Sequence, residues 1–290
     1  MKIKIEKKPL AEVRALPAPP RKKPVRPAHF WRWVMKTAGA GDLKDAQFSY
    51  TFDGLDCVPD EPCLVVMNHS SFIDLEIAAG ILYPHPFNIV CTSDGFVGKD
   101  ALMRRIGCIP TNKFVTDVGL ISDMSYALHE LKDHVLLYPE ASYTFDGCAT
   151  PLPARMGVRL KKLKAPVLFI RTDGAFLRDP LYNCLQKRKV RVSAAVRLLF
   201  SAQDVQEKTA AELTAGLEEA FTFDNFREQQ EKQIRVDEPF RADGLHRILY
   251  RCPRCGREGG MEGKGTQLVC RACGASWTLD EYGMLRGNSG

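Results

Sequence analysis

Apolar residues in this chain come in short continuous runs separated by stretches of helical spacing. Cys63-Leu64-Val65-Val66-Met67, Phe87 to Cys91, Val135 to Tyr138, Val167 to Arg171 and Val190 to Leu199 are too short for buried helices and read as strands covered on both faces. Between them the pattern changes. Val115 to Asp133 and Ala154 to Lys164 have helical spacing, the second with a basic outer face, and a polar helix from Ala210 to Gln233 closes the series. Alternating strands and helices predict an α/β domain over residues 29–240, a mostly parallel sheet covered by helices. In such folds sites collect at the carboxyl ends of the strands.

The two ends of the chain are of another kind. Residues 1–28 hold nine Lys or Arg against two Glu, a net of +7, while the whole 290-residue chain is +6, so the excess positive charge lies in this tail. Its prolines at 9, 17, 19, 20, 24 and 27 predict an extended, disordered segment without helix. Directly after it, His29-Phe30-Trp31-Arg32-Trp33-Val34-Met35-Lys36 interleaves aromatics with cations, as at a bilayer interface. No run approaches the ~18 apolar residues of a spanning helix, and the start lacks the apolar core of a signal peptide. The expectation is a cytoplasmic protein, peripheral on the inner face of a membrane and drawn to anionic lipid.

At the other end, Cys252-Pro253-Arg254-Cys255-Gly256 and Cys270-Arg271-Ala272-Cys273-Gly274 are two Cys-x2-Cys-Gly knuckles separated by fourteen residues. The pattern resembles a zinc ribbon, here over residues 247–290. Two thiolates on each tight turn complete a tetrahedral S4 site for one structural zinc, with no position left for an activated water. The cysteines at 57, 63, 91, 108, 148 and 184 lie in apolar segments and are expected to be buried thiols.

Candidate chemistry sits after the first apolar run, in Asn68-His69-Ser70-Ser71-Phe72-Ile73-Asp74. An imidazole can take a proton from a hydroxyl, and a carboxylate on its other ring nitrogen fixes the tautomer. On a uniform helix five residues would set the two side chains about 140° apart, so His69 must lie in a loop with the helix starting near Ser70 or Ser71. Downstream, Val135-Leu136-Leu137-Tyr138-Pro139-Glu140-Ala141-Ser142 is again a strand ending in a turn that carries a carboxylate.

With Gly107-Cys108-Ile109-Pro110-Thr111-Asn112-Lys113 between these blocks and Ala165-Pro166-Val167-Leu168 after them, the order over residues 60–200 resembles the glycerolipid acyltransferases of the lysophosphatidic acid acyltransferase type. The resemblance implies transfer of a fatty acyl group from acyl-CoA or acyl-carrier protein to a hydroxyl of a 1-acylglycerol-3-phosphate-like lysophospholipid. His69 would be the base and Asp74 its orienting group. It further implies substrate-binding roles for Glu140 and for Lys113, the cation of the Gly block. The family's Gly after the Glu is Ala141 here, and its Arg is Tyr143; Arg155, in a stretch resembling the family's basic-x-Gly turn, stands as the compensating cation. No nucleic acid is expected as partner. The ribbon, with seven Lys or Arg against four acids from Arg247 onward, keeps a second class open: a nucleic-acid or protein-binding module with a degenerate acyltransferase-like domain.

Overall fold

The structure, a computed structural model, describes residues 5–15, 21–112 and 117–288. Seven strands, β1 (Ser49–Asp53), β2 (Leu64–Met67), β3 (Phe87–Thr92), β4 (Cys108–Thr111), β5 (His134–Leu137), β6 (Val167–Asp173) and β7 (Ser193–Phe200), form one sheet in the order β1-β7-β6-β2-β5-β3-β4. Strands β2 to β6 run parallel; β7 pairs antiparallel with β6 and carries β1 parallel to itself at the edge. The mostly parallel α/β sheet expected from the runs is therefore present, extended by the reversed pair β7 and β1.

Continuous apolar strands follow from burial of both faces. Along β2, Val65 and Met67 point into a core with Leu136, Leu168 and Ile170, whereas Leu64 and Val66 point into a second core with Val135, Val167 and Phe169. The helices divide accordingly. In chain order they are α1 (Leu10–Ala15), α2 (His29–Ala38), α3 (Ala40–Asp45), α4 (Asp74–Leu82), α5 (Asp100–Arg105), α6 (Val118–His129), α7 (Met156–Leu163), α8 (Ala175–Arg178), α9 (Ala202–Glu207), α10 (Ala210–Ala220) and α11 (Asn225–Glu231). Ile77, Ala78, Ile81 and Leu82 of α4 fill the first core; Met124 and Leu128 of α6, Leu160 of α7 and Leu217 of α10 fill the second.

Three local expectations are corrected. The helix after His69 begins at Asp74 rather than at Ser70 or Ser71, because the Asp74 carboxylate itself accepts the Ser70 and Ser71 amides at 2.6 and 3.0 Å and closes a turn ahead of the helix. The polar helix from 210 to 233 is two helices. Asp224 breaks it by pairing with Cys148 in an isolated β-bridge and capping α11 through the Phe226 and Arg227 amides. Cys57 and Cys184 are exposed, unlike the buried Cys63 and Cys108.

The basic tail also departs from an unstructured arm. Residues between Pro9 and Pro17 are free of proline, and α1 forms there, with Pro9 at the helix entrance where its missing N–H costs nothing. Residues 21–28 lie extended on the α/β domain. Arg21 bonds Asp117 and Asp123, each at 2.8 Å, Arg26 reaches the fully buried Asp133 at 2.7 Å, and Asn88 Nδ2 donates to the Val25 carbonyl at 3.0 Å. Acidic side chains on the domain thus hold cations that the sequence presents as solvated.

The C-terminal sheet, β8 (Met261–Lys264), β9 (Gln267–Cys270), β10 (Ser276–Leu279) and β11 (Leu285–Gly287), is antiparallel in the order β11-β10-β9-β8. Its apolar side is not self-contained. Met261, Leu268, Cys270 and Leu279 share one core with Phe176, Leu177, Tyr182 and Val190 of the α/β domain.

Candidate active site

His69 stands in the loop between β2 and α4, at the carboxyl edge of the sheet, and its Nδ1 lies 3.0 Å from Asp74 Oδ2. The same carboxylate oxygen accepts the Ser70 and Ser71 amides. One residue four positions after the turn starts thus gathers three donors at a single oxygen and fixes the imidazole at one nitrogen. The ring remains 21% exposed, so Nε2 is the nitrogen available to a substrate.

Two neighbouring strands hold the His69 backbone. Glu140, past the end of β5, is buried, and its Oε1 accepts the His69 amide at 2.8 Å. The His69 carbonyl accepts Thr144 N at 2.8 Å. Burial pushes the Glu140 carboxyl up to about 7, against the His69 amide and Thr150, which act to lower it. On the other side Asn68 ties the loop to β6: Thr172 N donates to Asn68 Oδ1 at 2.8 Å, and Asn68 Nδ2 donates to the Thr172 carbonyl at 3.1 Å.

The imidazole lies between two phenols. Tyr138 stacks on it with centroids 4.0 Å apart and planes 22° apart; the Tyr143 ring is 4.2 Å away and tilted by 52°. Burial and the nearby Asp74 charge hold the Tyr138 phenol well above its ordinary value, and the same two causes push Tyr143 up to about 12. Both rings are neutral walls. Tyr143, standing where the resembling family has Arg, lies against His69, and Tyr138 has no role in the sequence pattern; its placement at the end of an apolar strand, two residues before Glu140, was the signal available. Arg155 is exposed in left-handed backbone at the start of α7 and makes no ion pair among the described residues. Lys113 lies outside the described residues. A cavity of about 150 Å³ lined by Glu61, His129, Lys132 and Lys164 opens at the amino ends of the strands, away from these groups.

The second predicted site is brought together as four sulfurs. Cys252, Cys255, Cys270 and Cys273 place their Sγ atoms within 4.8 Å of one another, with Cys252 to Cys273 at 3.7 Å and Cys255 to Cys270 at 3.8 Å. A tetrahedron of thiolates about 2.3 Å from a central zinc has edges of about 3.8 Å, whereas a disulfide requires about 2.05 Å. The knuckle glycines complete the cradle: Gly256 and Gly274, at φ +71° and +72°, donate their amides to the Cys252 and Cys270 carbonyls. These residues fit a structural zinc.

Comparison with known proteins bears on the first site. Among curated proteins none matches the chain. Among solved structures it is similar to the 1-acyl-sn-glycerophosphate (LPA) acyltransferase PlsC from Thermotoga maritima, at 16% identity and a TM-score of 0.47, over 66% of this chain and 76% of that one. Residues 49–168, which include His69, Asp74 and Glu140, match the family model described as Acyltransferase.

Proposed function

We propose that the domain acylates a hydroxyl of a lysophospholipid, 1-acylglycerol-3-phosphate-like, using acyl-CoA or acyl-carrier protein as thioester donor. The observation that carries this reading is the His69–Asp74 pair, which is fastened at Nδ1 and leaves Nε2 toward solvent. His69 Nε2 takes the proton of the acceptor hydroxyl as its oxygen attacks the thioester carbonyl. The C–S bond then breaks, and the imidazolium returns the proton to the leaving thiolate. Asp74 keeps Nδ1 protonated and offsets the transient positive charge. Glu140, by holding the His69 amide, acts on the acceptor side only through the loop it fixes; Lys113 and Arg155 supply cations for the acceptor phosphate, and Tyr143 closes the site over the imidazole.

Exposed apolar side chains support a lipid substrate. Phe72, next to the turn, is 67% exposed, and Phe30 and Trp33 on α2 are 60% and 49% exposed. Helix α2 packs on α4, with His29 and Arg32 against Tyr83 and Pro84 beyond the end of α4 that is remote from His69. Among the described residues no helix is long and apolar enough to cross a membrane. Contact with an anionic bilayer through α2, together with zinc held by the four cysteines, completes the proposal. The decisive measurement incubates purified protein with labelled acyl thioester and mixed lysolipids, followed by lipid extraction: acyl transfer to a lysophospholipid is expected, and turnover unchanged in His69→Ala would overturn the assignment. Trp33→Ser with Phe30→Ser should slow transfer on anionic vesicles and spare it on detergent-dispersed substrate; equal loss on both would reject the bilayer contact.

A further inference from the structure

Between β5 and α7 the chain forms no helix or sheet strand, so the loop that carries Tyr143 onto His69 depends on bonds to other elements. Thr144, fully buried, donates its amide to the His69 carbonyl at 2.8 Å and its hydroxyl to the Cys148 carbonyl at 2.7 Å. Gly147, between them, has two supports. Asn225 donates both its backbone amide and its side-chain Nδ2 to the Gly147 carbonyl, at 2.9 and 2.7 Å. Phe176 packs so tightly on Gly147, at φ +82°, that a Cβ there would come within 2.6 Å of its ring. Both supports rest on the ribbon. Phe176 shares a core with Cys252 and Cys270, two of the four sulfur donors, each no more than 1% exposed. Helix α11 starts at Asn225 and sets Phe226 edge-on to Phe176, with centroids 5.7 Å apart. Two turns of chain further on, buried Gln229 donates from Nε2 to the Glu281 carbonyl of the ribbon at 3.3 Å, and the Val236 amide donates to the same carbonyl at 2.7 Å.

We propose that the ribbon is a positioning module for acyl transfer and that Asn225 is the positioning residue through which it acts. The ribbon fixes α11 and Phe176, these fix Gly147, and the loop so held keeps the Thr144 amide on the His69 carbonyl and Tyr143 against the imidazole. This rests on the acyltransferase reading of His69. The Glu140 carboxylate and the Thr144 amide grip the two backbone polar groups of one residue, His69, so loss of either grip loosens the ring that Asp74 must orient. The Gly147 carbonyl already has a donor in the Asn225 backbone amide. A buried side chain spent on its second lone pair therefore serves to fix the carbonyl in place rather than to satisfy it. Phe176, Asn225 and the ribbon all lie outside residues 49–168, so the rest of the chain adds this support to the segment that matches the family model. Because metal binding sets the fold of a thiolate module, occupancy of the four cysteines reaches the loop by the same contacts.

The test reads hydrogen exchange of the Thr144 amide, which reports the loop, beside that of the Val135 amide, which donates to the Cys63 carbonyl at 3.0 Å and reports general stability. In Asn225→Ala, kcat should fall about 10-fold with KM for the thioester unchanged, within the range that a misplacement of about 1 Å costs. Its Thr144 amide should exchange faster by about the same factor while Val135 keeps its protection; a merely destabilising change would speed both. Gln229→Leu removes the bond to Glu281 and leaves the four cysteines untouched. It should retain its zinc and shift kcat and Thr144 exchange in the same direction. Chelation at a temperature where circular dichroism shows the chain folded should do likewise, with reversal when zinc is returned. Wild-type kcat and Thr144 exchange in folded Asn225→Ala, or equal acceleration of Val135, overturns the role of Asn225. Wild-type values in both Gln229→Leu and the chelated chain overturn the role of the ribbon. If Asn225→Ala does not fold, Gln229→Leu carries the test by the same criteria. Absence of thioester-dependent transfer in the wild type would instead defeat the acyltransferase reading, and Thr144 exchange would still decide whether the ribbon holds the loop.

Discussion

The turn at residues 68–74 and the cysteine knuckles at 252–273 are both short motifs that place reactive atoms within a few ångströms, and they differ in how much of each site is local. Each knuckle is nearly self-sufficient: two thiolates and a Gly that turns back onto the first Cys carbonyl, repeated once. The dyad is complete in seven residues, yet its surroundings come from β5 and β6 and the turn after β5 through Glu140, Tyr138 and Thr172. A metal needs only donors at a fixed radius. Proton transfer also needs a held ring, a dry wall and controlled charge, and the fold draws these from distant strands.

The largest effect expected tests the local half of the active site. His69→Ala should reduce transfer by on the order of 10²-fold or more, because the general base is lost, and Asp74→Asn should approach that loss by freeing the imidazole and the Ser70 and Ser71 amides. Circular dichroism should show both variants folded. If Asp74→Asn turned over normally, the pair would be a structural contact only.

Next in size is metal removal, which tests whether the ribbon is as self-contained as its motif. Metal binding is the folding energy of small thiolate modules. Because Leu268 and Cys270 share a core with Phe176 and Tyr182, stripping the metal should lower the melting of the whole chain in one transition and expose Trp277 along with it. Calorimetry with tryptophan fluorescence checks this. A separate low-temperature transition confined to residues 247–288, with the rest unchanged, would show an autonomous ribbon. Metal analysis should give one zinc per chain.

What could be read in the chain follows the same division. The buried strands, the dyad and each Cys-x2-Cys pair lie within a few residues, so burial periodicity or spacing reveals them. The sequence places the start of α4 too early because Ser70 and Ser71 look like caps, while in the structure their amides donate to the Asp74 carboxylate in a turn ahead of the helix. The basic tail reads as solvated because its partners, Asp117, Asp123 and Asp133, are some hundred residues away. Edge strand β1 has an exposed and half-buried pattern that no apolar run announces. Tyr138 was hidden for the same reason: nothing near it in sequence says which side chain it will face.

A smaller, pH-dependent effect probes the non-local half. The Glu140 carboxyl, raised by burial from its ordinary 4.5 to about 7, binds a proton in the folded chain that the unfolded chain has already lost between those values. Its contribution to stability is present below about pH 4.5 and is lost as pH rises to 7. Glu140→Gln keeps an acceptor for the His69 amide but carries no charge. Relative to wild type the variant should gain stability steadily across that window, on the order of 3 kcal/mol at most, from about 1.4 kcal/mol per pKa unit. Denaturant midpoints measured at pH 4.5 and 8 give the difference; a gap that does not widen with pH would place the carboxyl in the ordinary range.

The smallest effect expected contrasts the two turns directly. At the knuckles the left-handed positions are glycines, but after Glu140 the left-handed residue is Ala141, at φ +60°, where the resembling family has Gly. Its amide still closes the turn by donating to the Tyr138 carbonyl at 3.1 Å. An L-residue held in that region costs roughly 1–2 kcal/mol, and replacing it by Gly returns about 0.5–1 kcal/mol of that as unfolded-chain entropy. Ala141→Gly should therefore raise stability by up to about 1 kcal/mol while leaving the Glu140 contact to the His69 amide, and hence the rate, in place. Because Ala141 is exposed, no packing is lost to confuse the reading. A melting temperature lowered by the substitution would mean that the Ala turn is relaxed by contacts of its own, and that the active-site turn needs glycine less than the knuckles do.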